Sequence, residues 1–204
     1  MLKHELMRRS KPQKVTCNWK TSKNVGVVRI IGGQMRGRKL QFNPAEGLRP
    51  TLDRIRETLF NWLARDIQGS RCLDLFAGSG ALGFEAASRG AALVSMIELN
   101  PGVANDLRAN CQLVNVNNVK VVNLAADKFL QTNTEKYDVI FLDPPFGQGL
   151  LAETMLNLSN SLNPQALLYI EQETTQEPYQ PGENWLPLKS KKTASFSYAL
   201  YQLK

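Results

Sequence analysis

Short apolar runs alternate with segments of helical periodicity along most of this chain. The runs that predict strands lie near 72–76, 93–98, 119–124, 138–142 and 166–171. Because strands alternate with helices, we expect an α/β fold with a mostly parallel sheet covered on both faces. Segments 186–193 and 195–203 leave no room for a crossover helix, so they predict an antiparallel pair at the end of the chain.

The first 65 residues follow a different pattern. Residues 1–24 are polar, basic and without periodicity, so we expect a tail that is disordered or orders only on binding. Segments 27–31 and 38–42 flank a Gly-Gly turn and predict a β-hairpin. A helix is expected over 52–64, with Thr51 as its N-cap.

Composition excludes several classes of protein. A chain of 204 residues that is 43% hydrophobic and 21% charged fits a globular protein with one sizeable core. No apolar run approaches the ~20 residues of a membrane span, and the N-terminus lacks the apolar core of a secretory signal. The cysteines (Cys17, Cys72 and Cys111) lack metal-ligand spacing, and the single histidine is His4, so we expect neither a metal site nor histidine-based catalysis. These features together predict a cytoplasmic protein with no membrane partner.

The net charge of +7 is distributed unevenly. Residues 1–65 hold 15 of the 25 Lys+Arg but only 4 of the 18 Asp+Glu. A basic front on a mildly acidic body favours a polyanion, and nucleic acid is the expected partner. The alternative is a solvated tail that only improves solubility.

The apolar run that begins at Leu73 breaks into Gly78-Ser79-Gly80-Ala81-Leu82-Gly83 and resumes as an alanine-rich helix. Such a unit brings backbone N–H groups and a helix N-terminus close to a ligand. Its spacing matches G-x-G-x-x-G, with Glu98 where a ribose-binding acid belongs, which alone suggests a nicotinamide or flavin enzyme. Asp74 argues against that class, because an anion inside the strand suits a cationic amino group better than a pyrophosphate. The segment Asp143-Pro144-Pro145-Phe146 argues against it too, because hydride transfer does not require it.

Taken in order, these motifs resemble those of the Rossmann-like S-adenosylmethionine-dependent methyltransferases. The N-terminal block narrows the resemblance to the bacterial 16S rRNA guanine-N2 methyltransferases of the RsmD type; it consists of Arg29-Ile-Ile-Gly-Gly, Arg36-Gly-Arg, Arg49-Pro-Thr and Asp53-Arg-Ile-Arg-Glu-Thr-Leu-Phe-Asn61. The resemblance covers roughly residues 27–173. It implies a seven-stranded sheet in a methyltransferase domain over 51–204, preceded by an RNA-binding extension over 25–50 and the tail over 1–24.

The resemblance also implies where the methyl donor, S-adenosylmethionine, would bind. The expected cofactor-binding residues are Asp74, Phe76, Ala77, Gly78, Ser79, Gly80, Glu98, Leu99 and Asp127. Glycines 78 and 80 let the backbone approach the methionine part, and Asp74 can organise its ammonium directly or through water. Glu98 can accept both ribose hydroxyls, and Asp127 the adenine amino group. A solvated strand-end acid is the alternative for Glu98, and a helix N-cap is the alternative for Asp127.

The segment Asp143-Pro144-Pro145-Phe146 is expected to form the catalytic site for the acceptor. An exocyclic amine is a poor nucleophile, and two hydrogen-bond acceptors aimed at its hydrogens would favour its attack. The Asp143 carboxylate and the Pro144 carbonyl could be those acceptors, the latter fixed by the locked φ of the prolines. Phe146 could stack on an extruded base, worth roughly 1–3 kcal/mol. A strand-terminating turn with a core phenylalanine is the alternative.

Basic side chains near the front are the expected contacts to the substrate. They are Arg36, Arg38, Lys39, Arg49, Arg54 and Arg56. Each could bind a phosphate, and each could equally be a solvated charge. Arg54 and Arg56 could alternatively point at the carboxylate of the cofactor.

The sequence thus predicts methyl transfer to the N2 amine of a guanine in 16S rRNA, on naked RNA or within a partly assembled small subunit. The acceptor segment suits adenine N6 equally well, so guanine depends on the resemblance, and an adenine-N6 methyltransferase on RNA or DNA is the first alternative. Two rival hypotheses are a non-catalytic RNA-binding assembly factor and an NAD-linked oxidoreductase.

Overall fold

A computed structural model describes residues 25–43, 52–145, 149–174 and 177–204. The strands are β1 (Gly26–Arg29), β2 (Lys39–Phe42), β3 (Arg71–Asp74), β4 (Leu93–Glu98), β5 (Val119–Asn123), β6 (Tyr137–Leu142), β7 (Leu162–Glu173), β8 (Trp185–Lys192) and β9 (Phe196–Leu203). The helices are α1 (Asp53–Trp62), α2 (Ala81–Ser88), α3 (Pro101–Leu113), α4 (Ala126–Thr132) and α5 (Leu150–Asn157). The predicted tail over 1–24 lies outside the described residues.

A seven-stranded sheet in the order β5-β4-β3-β6-β7-β9-β8 forms the centre of the molecule. Strands β3 to β7 are parallel, and β9 runs antiparallel to both β7 and β8. The α/β class, the seven strands and the antiparallel C-terminal hairpin are therefore confirmed. Successive side chains of a strand point to opposite faces, so the sheet has two cores. One core includes residues of α1, α2 and α3, and the other includes residues of α4.

The N-terminal hairpin packs onto this body and shares its first core. Val28, Ile30, Leu40 and Phe42 are buried in the same cluster as residues of α1 and α2. Polar side chains also fasten the hairpin; Glu85 accepts hydrogen bonds from the backbone N–H groups of residues 31 and 32, at 2.8 Å each. The hairpin is thus continuous with the α/β body in its packing.

Helix starts follow local chemistry only in part. Asn100 caps α3 as its position before Pro101 suggests, because its side chain accepts from the N–H groups of Gly102 and Val103. At α1 the prediction was wrong: Leu52 occupies the N-cap position without a side-chain hydrogen bond. Thr51 itself lies outside the described residues.

No helix among the described residues is long and apolar enough to span a lipid bilayer. In the same part of the chain, no group of three or more His, Cys, Asp or Glu side chains could hold a metal ion. Cys72 is buried and Cys111 is partly buried.

Candidate functional site

The glycine-rich turn and the Asp143 segment lie side by side at the carboxyl edge of the sheet. Strands β3 and β6 are hydrogen-bonded in parallel, with Asp74 opposite Phe141. Asp143 follows two residues further along, so a strand spacing of about 4.8 Å and a rise of about 3.3 Å per residue place its Cα roughly 8 Å from that of Asp74. Two segments that are far apart in the sequence are therefore brought to one edge.

Four carboxylates share one face at this edge. Alternation along β3 puts Cys72 and Asp74 on the face covered by α1 to α3, because Cys72 belongs to that core. The same alternation assigns Glu98, Asp143 and Glu171 to that face, since Met96, Phe141 and Tyr169, two residues before each, belong to the same core. The order across the sheet is Glu98, Asp74, Asp143 and Glu171.

The turn after β3 requires its glycines. Gly78 and Gly80 have φ values of 49° and 77°, a left-handed region that side chains rarely adopt. At Gly80, a Cβ would also lie 2.6 Å from the Phe84 ring and 2.7 Å from the Leu107 side chain. At Gly83, it would lie 2.4 Å from Met96 Cε, so the third glycine lets α2 pack closely on β4. The turn therefore presents bare backbone at the start of α2.

Asp74 lies beneath this turn and not on its surface. Its residue is 1% exposed, and its carboxylate accepts a hydrogen bond from Gly83 N at 3.2 Å. Burial and the nearby Asp143 charge raise the pKa of Asp74 to about 7, although hydrogen bonds from Gly83 and Phe76 lower it. The geometry gives Asp74 a role in bracing the turn, and the contact to an ammonium, direct or through water, stays a prediction.

Glu98 links the turn to the end of β4. Its carboxylate accepts from Gly78 N at 3.0 Å and from Asn100 N at 2.7 Å. A carboxylate has further lone pairs beyond these two bonds, so it can accept from a diol as well. The next residue, Leu99, is 71% exposed and offers an apolar surface beside it. Glu98 is thus an oriented acceptor and not a freely solvated strand-end acid.

Asp127 is not the N-cap of α4, which was one of its two interpretations. Ala125 occupies the N-cap position, and Asp127 lies in the first turn of the helix. Its side chain is 33% exposed and lies 3.8 Å from the Lys128 ammonium. The helix dipole favours an acid in the first turn. The exposure of the Asp127 side chain leaves its carboxylate accessible to a ligand.

The acceptor segment follows β6 directly. Asp143 is partly buried, Pro144 is buried and Pro145 is exposed. Phe146 lies outside the described residues, so its predicted stacking role stays a prediction.

The sequence analysis did not identify Tyr169 and Glu171, a hydrogen-bonded pair on the neighbouring strand β7. The Tyr169 hydroxyl donates to the Glu171 carboxylate at 2.7 Å, and both side chains are buried. Burial and the charge of Asp143 raise the pKa of Glu171 to about 8, while the hydrogen bond from Tyr169 lowers it. The sequence did hold a signal for this pair, because Glu171 directly follows the apolar run Leu167–Ile170. A buried strand end rarely carries an acid without a partner.

The basic side chains of the hairpin lie away from this edge. Arg36, Arg38 and Lys39 are exposed. The Arg38 guanidinium donates to the carbonyl of Leu113, at the C-terminal end of α3, and Gln34 N donates to the carbonyl of Ser88, at the C-terminal end of α2. Both helices start near the carboxyl edge of the sheet and end near its amino edge. The hairpin tip contacts their C-terminal ends, so it lies toward the amino edge.

Arg54 is exposed, and Arg49 lies outside the described residues. The structure corrects the prediction that Arg56 contacts the substrate. The residue is 1% exposed, so it is neither solvated nor available to a phosphate. Its Nη2 donates to the Arg29 carbonyl at 2.8 Å and to Asp53 at 2.6 Å. Its Nη1 lies 3.6 Å from the carboxylate of Glu85, which is also fully buried. Arg56 therefore joins α1, α2 and the hairpin.

Comparison with known proteins gives consistent matches over nearly the whole chain. The family model described as conserved hypothetical protein 95 matches residues 28–202. The ribosomal RNA small subunit methyltransferase D of Haemophilus influenzae is 50% identical over 184 residues, 87% of this chain and 94% of that protein. The solved structure of the yhhF protein of Escherichia coli matches with a TM-score of 0.82 and 43% identity, over 88% of this chain and 99% of that one.

A more distant structure shares the fold. It is a 16S rRNA N2 methyltransferase of T. thermophilus, solved in complex with AdoMet and guanosine. It matches with a TM-score of 0.68 and 19% identity, over 89% of this chain and 50% of that one.

Proposed function

This chain belongs to the ribosomal RNA small subunit methyltransferase D family, and we propose that it methylates the N2 amine of a guanine in 16S rRNA. The methyl donor is S-adenosylmethionine. One observation carries the proposal: the glycine-rich turn and Asp143 meet at one edge and on one face of the sheet. A donor and an acceptor that must be held in line need this kind of arrangement.

The residues around the turn fit the donor. Bare backbone at Gly78 and Gly80 admits the methionine part beside the start of α2. The Glu98 carboxylate, oriented by two backbone N–H groups, would accept the ribose hydroxyls. The exposed face of Leu99 and the accessible Asp127 carboxylate would contact the adenine. S-adenosylmethionine supplies an activated methyl group, so the protein mainly has to position the two partners.

Asp143 would bind and orient the acceptor. Its carboxylate and the Pro144 carbonyl would each accept a hydrogen bond from the exocyclic amine, which favours a pyramidal nitrogen and offsets the positive charge that develops on it. Glu171 lies on the neighbouring strand β7, and its pKa is raised to about 8. The side of the site next to Asp143 therefore carries less negative charge at neutral pH than two ordinary carboxylates would give it. Pro144 is buried with its φ locked by its own ring, and the following Pro145 restricts its ψ, so its carbonyl has a narrow range of directions.

The target base is assigned by family and not by this pair of acceptors, which would suit adenine N6 as well. Extrusion of a base costs a few kcal/mol, and less in a loop than in a duplex. We therefore place the target in a loop or an unpaired segment of the rRNA, reached in the cytoplasm either on naked RNA or in a partly assembled small subunit.

The test is to map the product. Wild-type protein and labelled S-adenosylmethionine are incubated with 16S rRNA transcript and with small subunits from a strain that lacks this protein. Digestion to nucleosides and mass spectrometry should detect N2-methylguanosine in at least one of the two substrates. N6-methyladenosine would overturn the choice of base, and binding of S-adenosylhomocysteine without any transfer would favour a non-catalytic assembly factor.

A further inference from the structure

Glu98 and Asp143 are only partly buried at the carboxyl edge that holds the site, yet the expected substrate is a polyanion. The predicted phosphate-binding residues of the hairpin do not relieve this conflict, because the tip that carries them lies toward the opposite edge. Another of the described elements brings cations to the carboxyl edge.

Strand β8 provides them. We define the edge lysines as Lys189, Lys191 and Lys192. All three are exposed, and they take part in no ion pair with any described residue. β8 is the last strand of the sheet, so these side chains have open solvent beyond them.

The register of the sheet aligns the edge lysines with the acceptor site. Leu142 pairs with Ile170, so the next row joins Asp143 and Glu171. Glu171 pairs with Tyr198, and Tyr198 pairs with Lys191. Asp143 and Lys191 thus lie in one row, three strand spacings or about 14 Å apart.

The edge lysines also reach the carboxyl edge, and two of them, Lys189 and Lys191, lie on the face of Asp143, while Lys192 opposes Ser197 on the other face. β8 runs parallel to β7 because both are antiparallel to β9, so Lys192 ends β8 at the carboxyl edge. Directly opposed residues of an antiparallel pair share a face. Lys189 and Lys191 oppose Leu200 and Tyr198, which belong to the core on the face of Asp143.

We propose that the edge lysines bind phosphates of the rRNA strand next to the target base. The proposal rests on the proposed function, since it concerns the RNA that occupies the same site. Glu171 and Tyr198, between Asp143 and Lys191, are buried, so a strand whose base enters at Asp143 would pass along the carboxyl edge of the sheet to reach the edge lysines.

Lysines on an edge strand have another known role, which is to prevent pairing with a second sheet. The variant K189E/K191E/K192E separates the two roles, because glutamates still block an edge but repel phosphate. K189R/K191R/K192R keeps the positive charge. The control K120E/K136E/K204E reverses the same number of charges at exposed positions: Lys120, 3.6 Å from Glu135, lies on the opposite edge strand, Lys136 directly precedes β6 and Lys204 directly follows β9.

Binding to 16S rRNA transcript is measured from 50 to 300 mM KCl, with methylation of the same RNA as a second readout. K189E/K191E/K192E should bind at least about tenfold more weakly near 0.1 M salt, with a log–log slope shallower by about 2, since each phosphate contact contributes about 0.7–0.9. Its KM for RNA should rise, while its affinity for S-adenosylhomocysteine stays unchanged. The arginine variant should match wild type.

Equal RNA affinity of the glutamate variant and wild type would overturn the proposal, as would an equal loss in the control. Failure of wild type to methylate 16S rRNA would instead count against the proposed function, so the two failures are distinguishable.

Discussion

At the scale of single residues, burial decides what each charged group in this molecule can do. Asp74 and Glu98 lie on one face of neighbouring strands, but Asp74 is 1% exposed and Glu98 is partly exposed. The first can brace the turn, and the second can meet a ligand. Arg56 and Arg54 differ in the same way, since only Arg54 remains at the surface.

Asp143→Ala should separate binding of the donor from turnover. The substitution removes one hydrogen-bond acceptor for the target amine and leaves the glycine turn intact. We expect kcat to fall by about 10² or more, by analogy with loss of one preorganised hydrogen-bond partner, with S-adenosylhomocysteine affinity within twofold of wild type. Single-turnover methylation and calorimetry measure the two quantities. The exposed Glu153→Ala on α5 is the control, and undiminished turnover in D143A would remove Asp143 from the mechanism.

Asp74 should make folding stability depend on pH. Its pKa rises from 3.8 to about 7 on folding, so the native state binds more protons than the unfolded state between these values. The contribution of Asp74 to the free energy of unfolding therefore falls by up to about 4 kcal/mol as pH rises from about 4 to 7, and it is constant above that range.

Asp74→Asn keeps an oxygen that can accept from Gly83 N but does not titrate. Urea unfolding of both proteins across this pH range should show stability decreasing more steeply with pH in wild type than in D74N. Glu171 has the same sign of effect up to about pH 8, and it is present in both proteins, so it cancels in the difference. Parallel curves would mean that Asp74 is ionised throughout.

At the scale of elements, the glycine turn can be tested with a matched pair of positions. Gly80 and Gly69 have φ values of 77° and 76°, but a Cβ at Gly69 meets nothing within 4 Å, whereas one at Gly80 meets Phe84 and Leu107. Both alanine substitutions should cost about 1–2 kcal/mol of backbone strain. Only G80A should additionally move the turn and weaken S-adenosylhomocysteine binding, by tenfold or more in calorimetry. Equal affinities in the two variants would show that the turn tolerates a side chain.

The elements also show which structural features a sequence reveals. The strands of the sheet could be predicted because their apolar runs are local, and the cap at Asn100 because its partners are two and three residues away. The packing of the hairpin could not be predicted, because Glu85 binds backbone groups 53 and 54 residues earlier in the chain. An acid within the alanine-rich α2 signals that a partner exists, but not which one. Arg56 was misjudged for the same reason, since its partner Glu85 is on another helix.

At the scale of the whole molecule, the parallel topology determines the site and the charge distribution determines how RNA can approach it. Parallel strands deliver their carboxyl ends to one edge, which is why segments near 78 and 143 meet although they are far apart in the sequence. The path of the RNA could not be inferred in this way, because basic side chains lie at both edges of the sheet. The hairpin tip of the basic front lies toward the amino edge, while the edge lysines, which belong to the acidic body, lie at the carboxyl edge about 14 Å from the acceptor residue.

The basic segment over residues 1–24 should contribute to RNA affinity independently of the fold. It holds seven of the 25 Lys+Arg, and a cut after residue 24 retains the hairpin, whose buried positions begin at Val28. Removal of 1–24 should weaken binding to 16S rRNA and flatten its salt dependence by about 0.7–0.9 per lost phosphate contact. The melting temperature and S-adenosylhomocysteine affinity should stay close to wild type. A full-length variant with those seven residues changed to glutamine should reproduce the loss, because the expected cause is charge. If affinity and slope are unchanged in both variants, the segment serves solubility, and the edge lysines become the main candidate for the electrostatic contact with RNA.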